Sequence, residues 1–333
     1  MSESQIRGLL LEEAMLHLLR SAGYLPVFRK GKDETLAQEG KTLFVKGRGE
    51  RHQIDAIADY RVQPPFSNPQ RLLLEAKFYD RQRVGLTVIR NAVGVLNDVS
   101  QFFVSLRHDS PSKPRYHYQY AVVSATMFTR PSQRYAYAHD IFLIPLGASP
   151  YFRRLLDAIR AAAADLVVSD ANQISEEFSE IVRSRMRRAL SEGVFADEAY
   201  HYDESFDHLI KECLLLGFGL IAVTASGFPI FLVPLKGLAL NELRNVLHVR
   251  IHITNEGWFL AEEQGRKLFS FDVPDEMINL YAERGELTPD AALNLKQQEL
   301  YEMSALISEG RSLRIIRFLL DVPWFEGLRR RQQ

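Results

Sequence analysis

The sequence predicts an α/β protein in which two domains are joined by a helical connector. The chain has 333 residues and 46% hydrophobic content, which gives room for two cores of ordinary domain size. Helical and strand-like patterns alternate over residues 1–150, and this order is typical of an α/β domain. Residues 151–198 are helical in pattern almost throughout, and residues 199–333 alternate again.

The first predicted domain opens with a helix over residues 4–22. Gly23 follows it, and glycine is the residue type that most often closes a helix. The next predicted elements are strands and loops over 24–50, strands over 51–60 and 71–78, a helix over 84–106, a strand over 121–129, a helix over 131–139 and a strand over 141–146. We expect a mixed sheet flanked by helices.

The connector contains two helical segments that are broken near Ser169-Asp170. Its amphipathic faces could form a dimer seam. Beyond it, the predicted elements are strands over 218–225, 228–233, 248–254, 256–261 and 267–271, then helices over 274–284, 288–308 and 310–321. The final RRRQQ is interpreted as a tail.

The role of residues 199–333 is open between sensing, oligomerisation and partner binding. This part of the chain carries one acidic cluster, which consists of Asp203, Glu204, Asp207 and His208. A solvated loop is favoured over a second metal site, because nothing nearby completes a ligand set.

Charge and cysteine content narrow the function classes. Residues 1–150 carry a net charge of +6 and the remainder carries −7, a division that favours a polyanion-binding first domain. Cys213 is the only cysteine, which excludes a disulfide framework and suits the cytoplasm.

Residues 214–235 are uncharged and long enough to cross a bilayer. Their three glycines, two prolines and Ser226-Gly227 turn signal favour a buried hairpin instead.

The stretch RLLLEAKFYD, residues 71–80, places two charges at the end of an apolar strand. Side chains alternate along a strand, so Leu73, Glu75 and Lys77 share one face. Burying this pair is expensive unless further partners meet it. An edge strand whose tip reaches water is the alternative.

Two more acids lie where the patterns predict burial. Glu12 falls on the apolar stripe of the helix over 4–22, whereas Glu13 falls on its polar face. Asp55 lies within the strand-like run 51–60. Unpaired carboxylates in such places are costly. A helix rolled toward solvent, or an aspartate that caps a turn, would explain them without a function.

This set of residues suits hydrolysis of a phosphodiester. Magnesium prefers hard oxygen ligands and is often held by one or two carboxylates together with water and substrate phosphate. Asp55, Glu75 and the carbonyl of Ala76 would supply those oxygens, and Mn²⁺ could replace Mg²⁺. Lys77 would orient or help deprotonate the attacking water and offset negative charge in the transition state.

The order of these segments resembles the PD-(D/E)xK nuclease superfamily, most closely its Mrr-like restriction endonuclease branch. LLLEEAMLHLLRSAGY is similar to the opening helix of that branch, with Glu12 at its helical acid. GRGERHQIDAIADY and LLLEAKFYD resemble the strands that carry the Asp and the (D/E)xK motif. VGLTVIRNAVGVLNDV and ATMFTRPSQRYAYAHDIFLIPL resemble the following helix and the closing strand–helix–strand. The resemblance covers roughly residues 6–147. Ile54 stands where the motif has a proline, and the connection from Asp55 to Glu75 is long and proline-rich.

The resemblance implies a restriction-endonuclease-like fold and a magnesium-dependent endonuclease that cuts DNA in defence against foreign DNA. Glu12, Asp55, Glu75 and Lys77 would be its catalytic residues, and a homodimer or higher homo-oligomer would suit cleavage of both strands. The alternatives are a catalytically silent nucleic-acid or nucleotide-binding module of the same fold, and a membrane-attached regulatory protein that uses residues 214–235.

Weaker signals lie around this set. Gln53 shares the face of Asp55, and Arg81, Arg83 and Arg90 follow the catalytic strand, where they would bind backbone phosphates or simply be solvated. His52 points to the opposite face from Gln53, so at most one of the two lines the site. Gly47-Arg48-Gly49 would either wrap a phosphate or form an ordinary turn, and the turn is favoured.

Overall fold

The computed structural model describes residues 2–104, 111–169, 176–192, 204–217, 219–254, 257–282, 287–309 and 312–332. The chain divides into two compact units. The first contains Met1–Arg20 and Tyr24–Leu214, and the second contains Ser21–Gly23 and Leu215–Gln333. The described part of the predicted connector is helical and belongs to the first unit.

The first unit combines helices with short strands. Its helices are α1 (Glu3–Ser21), α2 (Leu86–Ser100), α3 (Arg130–Ala138), α4 (Pro150–Ser169), α5 (Glu176–Glu192) and α6 (Glu204–Leu216). Its strands are β1 (Tyr24–Pro26), β2 (Leu36–Glu39), β3 (Thr42–Lys46), β4 (Arg51–Gln53), β5 (Ala56–Tyr60), β6 (Gln70–Lys77), β7 (Phe103–Val104), β8 (Lys113–Pro114), β9 (His117–Ser124) and β10 (Ile141–Pro145). The division between the units falls in the last turns of α1 and α6.

A mixed five-stranded sheet forms the centre of the first unit, in the order β1-β5-β6-β9-β10. β5 runs antiparallel to β6, whereas β6, β9 and β10 are parallel. The central strand β6 buries Leu72, Leu73 and Leu74, as expected for a strand that is covered on both faces. Ile89 and Ala92 of α2 pack in the same core as Leu73. The α/β prediction for this part is confirmed.

The predicted strand over 51–60 is wrong, because the chain changes sheets in its middle. β4 pairs with β3 in a separate three-stranded sheet, β2-β3-β4. β5 instead pairs with β1 and β6. Ile54 and Asp55 form the bend between the two strands, so Asp55 leads into β5 rather than lying within a continuous strand.

A buried arginine closes the far end of β6. The Arg71 side chain is 1% exposed, and its Nε and Nη2 lie 2.6 Å from Asp59 and 2.8 Å from Asp33. Its guanidinium lies 3.7 Å from the ring centroid of Tyr116 and donates to the Thr35 hydroxyl. This network satisfies a charge that would otherwise be too costly to bury.

The second unit contains a closed barrel of seven strands in the order β11-β12-β15-β14-β13-β17-β16. The strands are β11 (Leu220–Thr224), β12 (Pro229–Pro234), β13 (Val246–Thr254), β14 (Gly257–Ala261), β15 (Lys267–Phe271), β16 (Glu302–Glu309) and β17 (Ser312–Leu320). The helices are α7 (Asp275–Tyr281), α8 (Pro289–Gln298) and α9 (Val322–Gln332). Among these described strands, the β13–β17 pair alone is parallel. A second unit with strands and helices is confirmed, and its sheet is a barrel.

The hairpin prediction for residues 214–235 is confirmed for β11 and β12, whereas residues 214–216 are the end of helix α6. β11 and β12 pair antiparallel, and Gly227 takes a φ of +91° at the turn between them. In the described ranges of the chain, no helix is both long enough and apolar enough to span a membrane.

Four predictions for the second half are wrong. The helix over 288–308 ends at Gln298, and the helix over 310–321 is strand β17. Ile316, Phe318 and Leu320 alternate into the barrel core, where pairing with the distant β13 outweighs local helix propensity. The acidic loop is the start of helix α6, although Asp203 lies outside the described residues. The tail is the last turn of α9.

Candidate active site

The centre of the site is the point where β5 and β6 meet. Ala56 pairs with Leu74, and one further step of this antiparallel register places Asp55 opposite Glu75. Side chains of opposed residues lie on the same face, with Cβ atoms about 5 Å apart. The Ala76 N–H donates to the Asp55 carboxylate over 2.8 Å. The backbone of β6 therefore fixes the aspartate beside the glutamate.

Glu75 is held from two sides. The Lys77 Nζ lies 2.7 Å from its Oε1, and the Tyr120 hydroxyl of β9 donates to its Oε2 over 3.1 Å. Burial lowers the pKa of Lys77, but the hydrogen bond and charge of Glu75 and the charge of Asp55 outweigh burial and raise the pKa above its ordinary value. Lys77 is therefore a charged ammonium at neutral pH, which suits a cation better than a base.

Glu12 reaches the same region from α1. Its Oε2 lies 2.6 Å from the Arg183 Nη2 of α5. Burial raises the pKa of Glu12 to about 7, with the Arg183 charge acting against that rise and the Asp55 charge adding to it. Burial also raises the pKa of Asp55, against the Ala76 N–H and the Lys77 charge. Burial is the main cause of both rises, and the Asp55 charge adds to the rise at Glu12.

The placement of Glu13 on a polar face is wrong. Glu13 is 2% exposed, and it accepts from Arg187 Nε over 2.7 Å and from Arg183 Nη1 over 3.1 Å. Arg183 and Arg187 are four residues apart, so they lie on one face of α5. The sequence RSRMR, residues 183–187, shows that spacing. What it could not show is that this face of α5 covers the acids of α1.

Glu12, Gln53, Asp55 and Arg183 line one cleft of about 660 Å³. Further basic groups line the same cleft, namely Arg29, Lys41 and Arg187. Glu75 and Lys77 do not line it; they reach Asp55 through the strand pair and the Ala76 N–H. The structure therefore brings all four predicted catalytic residues into one connected set, with two of them in the cleft.

A second cleft of about 380 Å³ lies where the chain leaves β6. Arg81, Arg83 and Arg153 line it and are exposed. Among the described residues, none of these three has a carboxylate within ion-pair distance. Arg160 lines the cleft as well and pairs with Asp157 over 2.7 Å. Two arginines predicted from the sequence thus share a cationic cleft with Arg153 and Arg160, which the sequence reasoning missed.

Arg90 lines neither of these clefts. Its guanidinium lies 5.9 Å from the ring centroid of Tyr135, between α2 and α3. The sequence placed Arg90 with Arg81 and Arg83 because all three follow β6 closely. α2 carries Arg90 along the helix, whereas the other two stay in the loop before it.

The turn interpretation of Gly47-Arg48-Gly49 is confirmed. The N–H groups of Gly49 and Glu50 donate to the Asp98 carboxylate over 2.8 and 3.2 Å. The same carboxylate lies 2.7 Å from His52 Nε2. A Cβ at Gly47 would meet the Asp98 carboxylate at 1.9 Å and the Glu50 carbonyl oxygen at 2.9 Å, so a larger residue there would displace the carboxylate. The Gly49 and Glu50 amides therefore bind a side chain of α2. His52 binds the same side chain and not Asp55.

The carboxylates of Asp55 and Glu75 offer hard oxygen donors of the kind that a divalent metal ion prefers. In the part of the chain that the structure describes, no three His, Cys, Asp or Glu side chains are already arranged to hold one. Magnesium needs fewer protein ligands, because water and substrate phosphates complete its coordination. One Asp55 oxygen accepts from the Ala76 N–H, and Glu75 lies opposite Asp55. The carboxylates of Asp55 and Glu75, with the Lys77 ammonium beside them, fit a magnesium ion.

Comparison with known proteins finds no matching family model and no match among curated proteins. Among solved structures, the chain is similar to the crystal structure of a protein of unknown function, AF1548. The identity is 15%, the TM-score is 0.28, and the match covers 55% of this chain and 98% of the other. A TM-score this low supports no conclusion about fold or function.

Proposed function

We propose that the protein is a metal-dependent endonuclease that hydrolyses DNA phosphodiester bonds, with a restriction-endonuclease-like first unit that acts in cytoplasmic defence against foreign DNA. The observation that carries the proposal is the joined set at the end of β6. Asp55 accepts from the Ala76 N–H, and Glu75 is paired with a charged Lys77. A scaffold with no catalytic task has little reason to collect these charges at one strand end.

Asp55 and Glu75 would hold Mg²⁺ or Mn²⁺, with the Ala76 carbonyl as a further ligand. The bound ion would supply charge neutralisation and a more acidic water. Tyr120 keeps Glu75 oriented. The Lys77 ammonium would contact the scissile phosphate and stabilise the negative charge that develops there. Glu12, with a pKa of about 7, is suited to accept a proton near neutral pH.

The substrate assignment to a nucleic acid is supported by the cationic cleft beside β6. Arg81, Arg83 and Arg153 have no acidic partner among the described residues, and unpaired arginines at one cleft suit a backbone of phosphates. Gln53 lines the Glu12 cleft, where it could contact the strand being cut. Cleavage of both strands of a duplex would favour a homodimer.

The test is cleavage of supercoiled plasmid by the full chain with Mg²⁺, Mn²⁺ or EDTA. We expect metal-dependent nicking that is lost in Asp55→Asn and Lys77→Met and retained in Lys32→Met. Lys32 is exposed, in the same unit, and serves as the matched control. Absence of cleavage on modified and unmodified DNA and RNA, with DNA still bound, would favour the catalytically silent module.

A further inference from the structure

The outer face of the barrel carries a row of aromatic rings. His252 of β13 and Phe259 of β14 are register partners, and their rings stack with centroids 5.0 Å apart and planes 11° apart. On one side of this pair, the Trp324 ring of α9 lies 5.1 Å from His252. On the other side, the Lys267 Nζ lies 4.2 Å from the centroid of Phe259. We call these four residues the aromatic row.

The rings of the row are partly open to solvent, and Lys267 is exposed. The alternation of β13 explains this. Val249 and Ile251 point into the barrel core, so His252 points outward. The stacked His252–Phe259 pair therefore faces outward, with the Trp324 ring tilted by 52° against His252.

A buried ammonium lies beside the row. Lys296 of α8 is 7% exposed, and its Nζ lies 5.8 Å from the ring centroids of both Trp258 and Trp324. No carboxylate among the described residues lies within ion-pair distance of it. Burial lowers its pKa to about 8. A cation that gives up water without gaining an anion is costly, and an incoming anion would relieve that cost.

Asp321, an acid beside the row, already has other partners. Asp321 pairs with Arg250 over 2.8 Å, and it accepts from the Trp324 N–H at the start of α9. Burial, followed by the charges of Lys296, Arg250 and Lys267, lowers the pKa of His252. The imidazole is therefore a neutral flat ring at neutral pH, and Lys267 and Lys296 add positive charge around it.

We propose that the aromatic row binds a nucleotide, free or within a nucleic-acid strand, with its base stacked on the rings and its phosphate drawn to Lys267 and Lys296. Bases stack on aromatic side chains in a sequence-tolerant way, and lysines beside such platforms follow the phosphates. An acidic peptide would match the charges but would leave the stack of rings unused. This proposal concerns the second unit and is independent of the hydrolytic site.

The chain contains only two tryptophans, Trp258 and Trp324, and both contact Lys296. Trp324 lies beside the aromatic row, whereas Trp258 belongs to the barrel core behind it. Intrinsic tryptophan fluorescence of the full chain therefore reports on the row through Trp324 and on the adjacent core through Trp258. The titration uses a 12-nucleotide single-stranded DNA, the same sequence as RNA, and a mononucleotide, each with EDTA present so that no cleavage occurs. We expect a saturable change in fluorescence with at least one of them.

Phe259→Ala should weaken binding by about tenfold or more, on the scale of one stacked base. Lys267→Met, an exposed substitution that leaves the barrel core intact, should weaken binding and lower the salt slope by about one counterion. Lys236→Met is the control, because Lys236 is an exposed lysine of the same unit, and it should leave the affinity unchanged.

The proposal fails if saturating ligand leaves the tryptophan signal unchanged, or if Lys267→Met and Lys236→Met bind alike. Anisotropy of a labelled oligonucleotide separates the two proposals. Binding without a tryptophan change would place the strand elsewhere and overturn the aromatic-row proposal alone. A normal tryptophan titration in a chain that cleaves nothing with any metal would overturn the proposed function alone. A response to the mononucleotide as well as the strand would indicate a nucleotide site.

Discussion

Replacement of Glu12 by glutamine should change how stability depends on pH. Glu12 has an ordinary pKa of 4.5 that the fold raises to about 7. At about 1.4 kcal/mol per pKa unit, this rise corresponds to about 3 kcal/mol. The folded protein holds the proton more tightly than the unfolded chain. The contribution of Glu12 to the free energy of unfolding is therefore largest below pH 4.5, and it is lost as the pH rises from 4.5 to 7.

Glutamine has nearly the shape of a protonated glutamic acid and does not ionise. Near pH 4.5 the Glu12→Gln protein should resemble the parent. Near pH 8 it should be more stable than the parent by about 3 kcal/mol, as measured against their difference at pH 4.5. The raised pKa of Glu12 already includes the attraction of Arg183. The loss of this ion pair in Glu12→Gln is therefore part of the expected difference in stability.

The assay is urea unfolding at a series of pH values between 4.5 and 8, followed by circular dichroism at 222 nm. Both tryptophans lie in the second unit, so tryptophan fluorescence in the same samples follows that unit as an internal reference. Asp157→Asn, at an exposed acid of α4, is the matched control and should show no such trend. A stability difference between Glu12→Gln and parent that stays constant across the pH range would refute the reasoning.

Three further outcomes are expected. Arg71→Met leaves Asp33 and Asp59 without their cation and should lower the free energy of unfolding by about 3 kcal/mol in urea; a loss below about 1 kcal/mol would show that the acids find other partners. If the protein cleaves DNA, the rate should rise with pH through an inflection near 7 that Glu12→Gln removes, and an inflection that survives this substitution would point to another group. Tyr120→Phe deletes one hydrogen bond to Glu75 and should slow cleavage several-fold at saturating DNA, about 1 kcal/mol in the barrier, whereas a change confined to KM would contradict an orienting role.

The sheet of the first unit could be predicted from the sequence, because each of its strands is marked by a short run of neighbouring residues. The leucines of β6 form an unbroken apolar run, and alternation alone places Glu75 and Lys77 on one face. Asp55 was expected within a strand and lies at a bend. Its neighbour is nevertheless Glu75, because the β5–β6 register, rather than the strand assignment, sets that distance.

The residues that sequence reasoning missed depend on distant contacts. Arg183 and Arg187 pair with acids about 170 positions away, and nothing near them in the chain indicates it. β16 and β17 contain helix-forming residues, yet they close the barrel through β11 and β13. The aromatic row likewise joins β13, β14, β15 and α9. Pairing across the barrel brings these residues together.

The central claim is that Asp55, Glu75 and Lys77 form one hydrolytic site, and a double-variant cycle tests it most directly. Single-turnover rates of plasmid nicking with saturating Mg²⁺ are measured for the parent, Asp55→Asn, Lys77→Met and the double variant. Residues that act as one unit give non-additive losses. We predict that each single variant loses nearly all activity and that the double variant is no slower than the slower single. Parent-like rates in either single variant, or losses that multiply in the double, would contradict the claim.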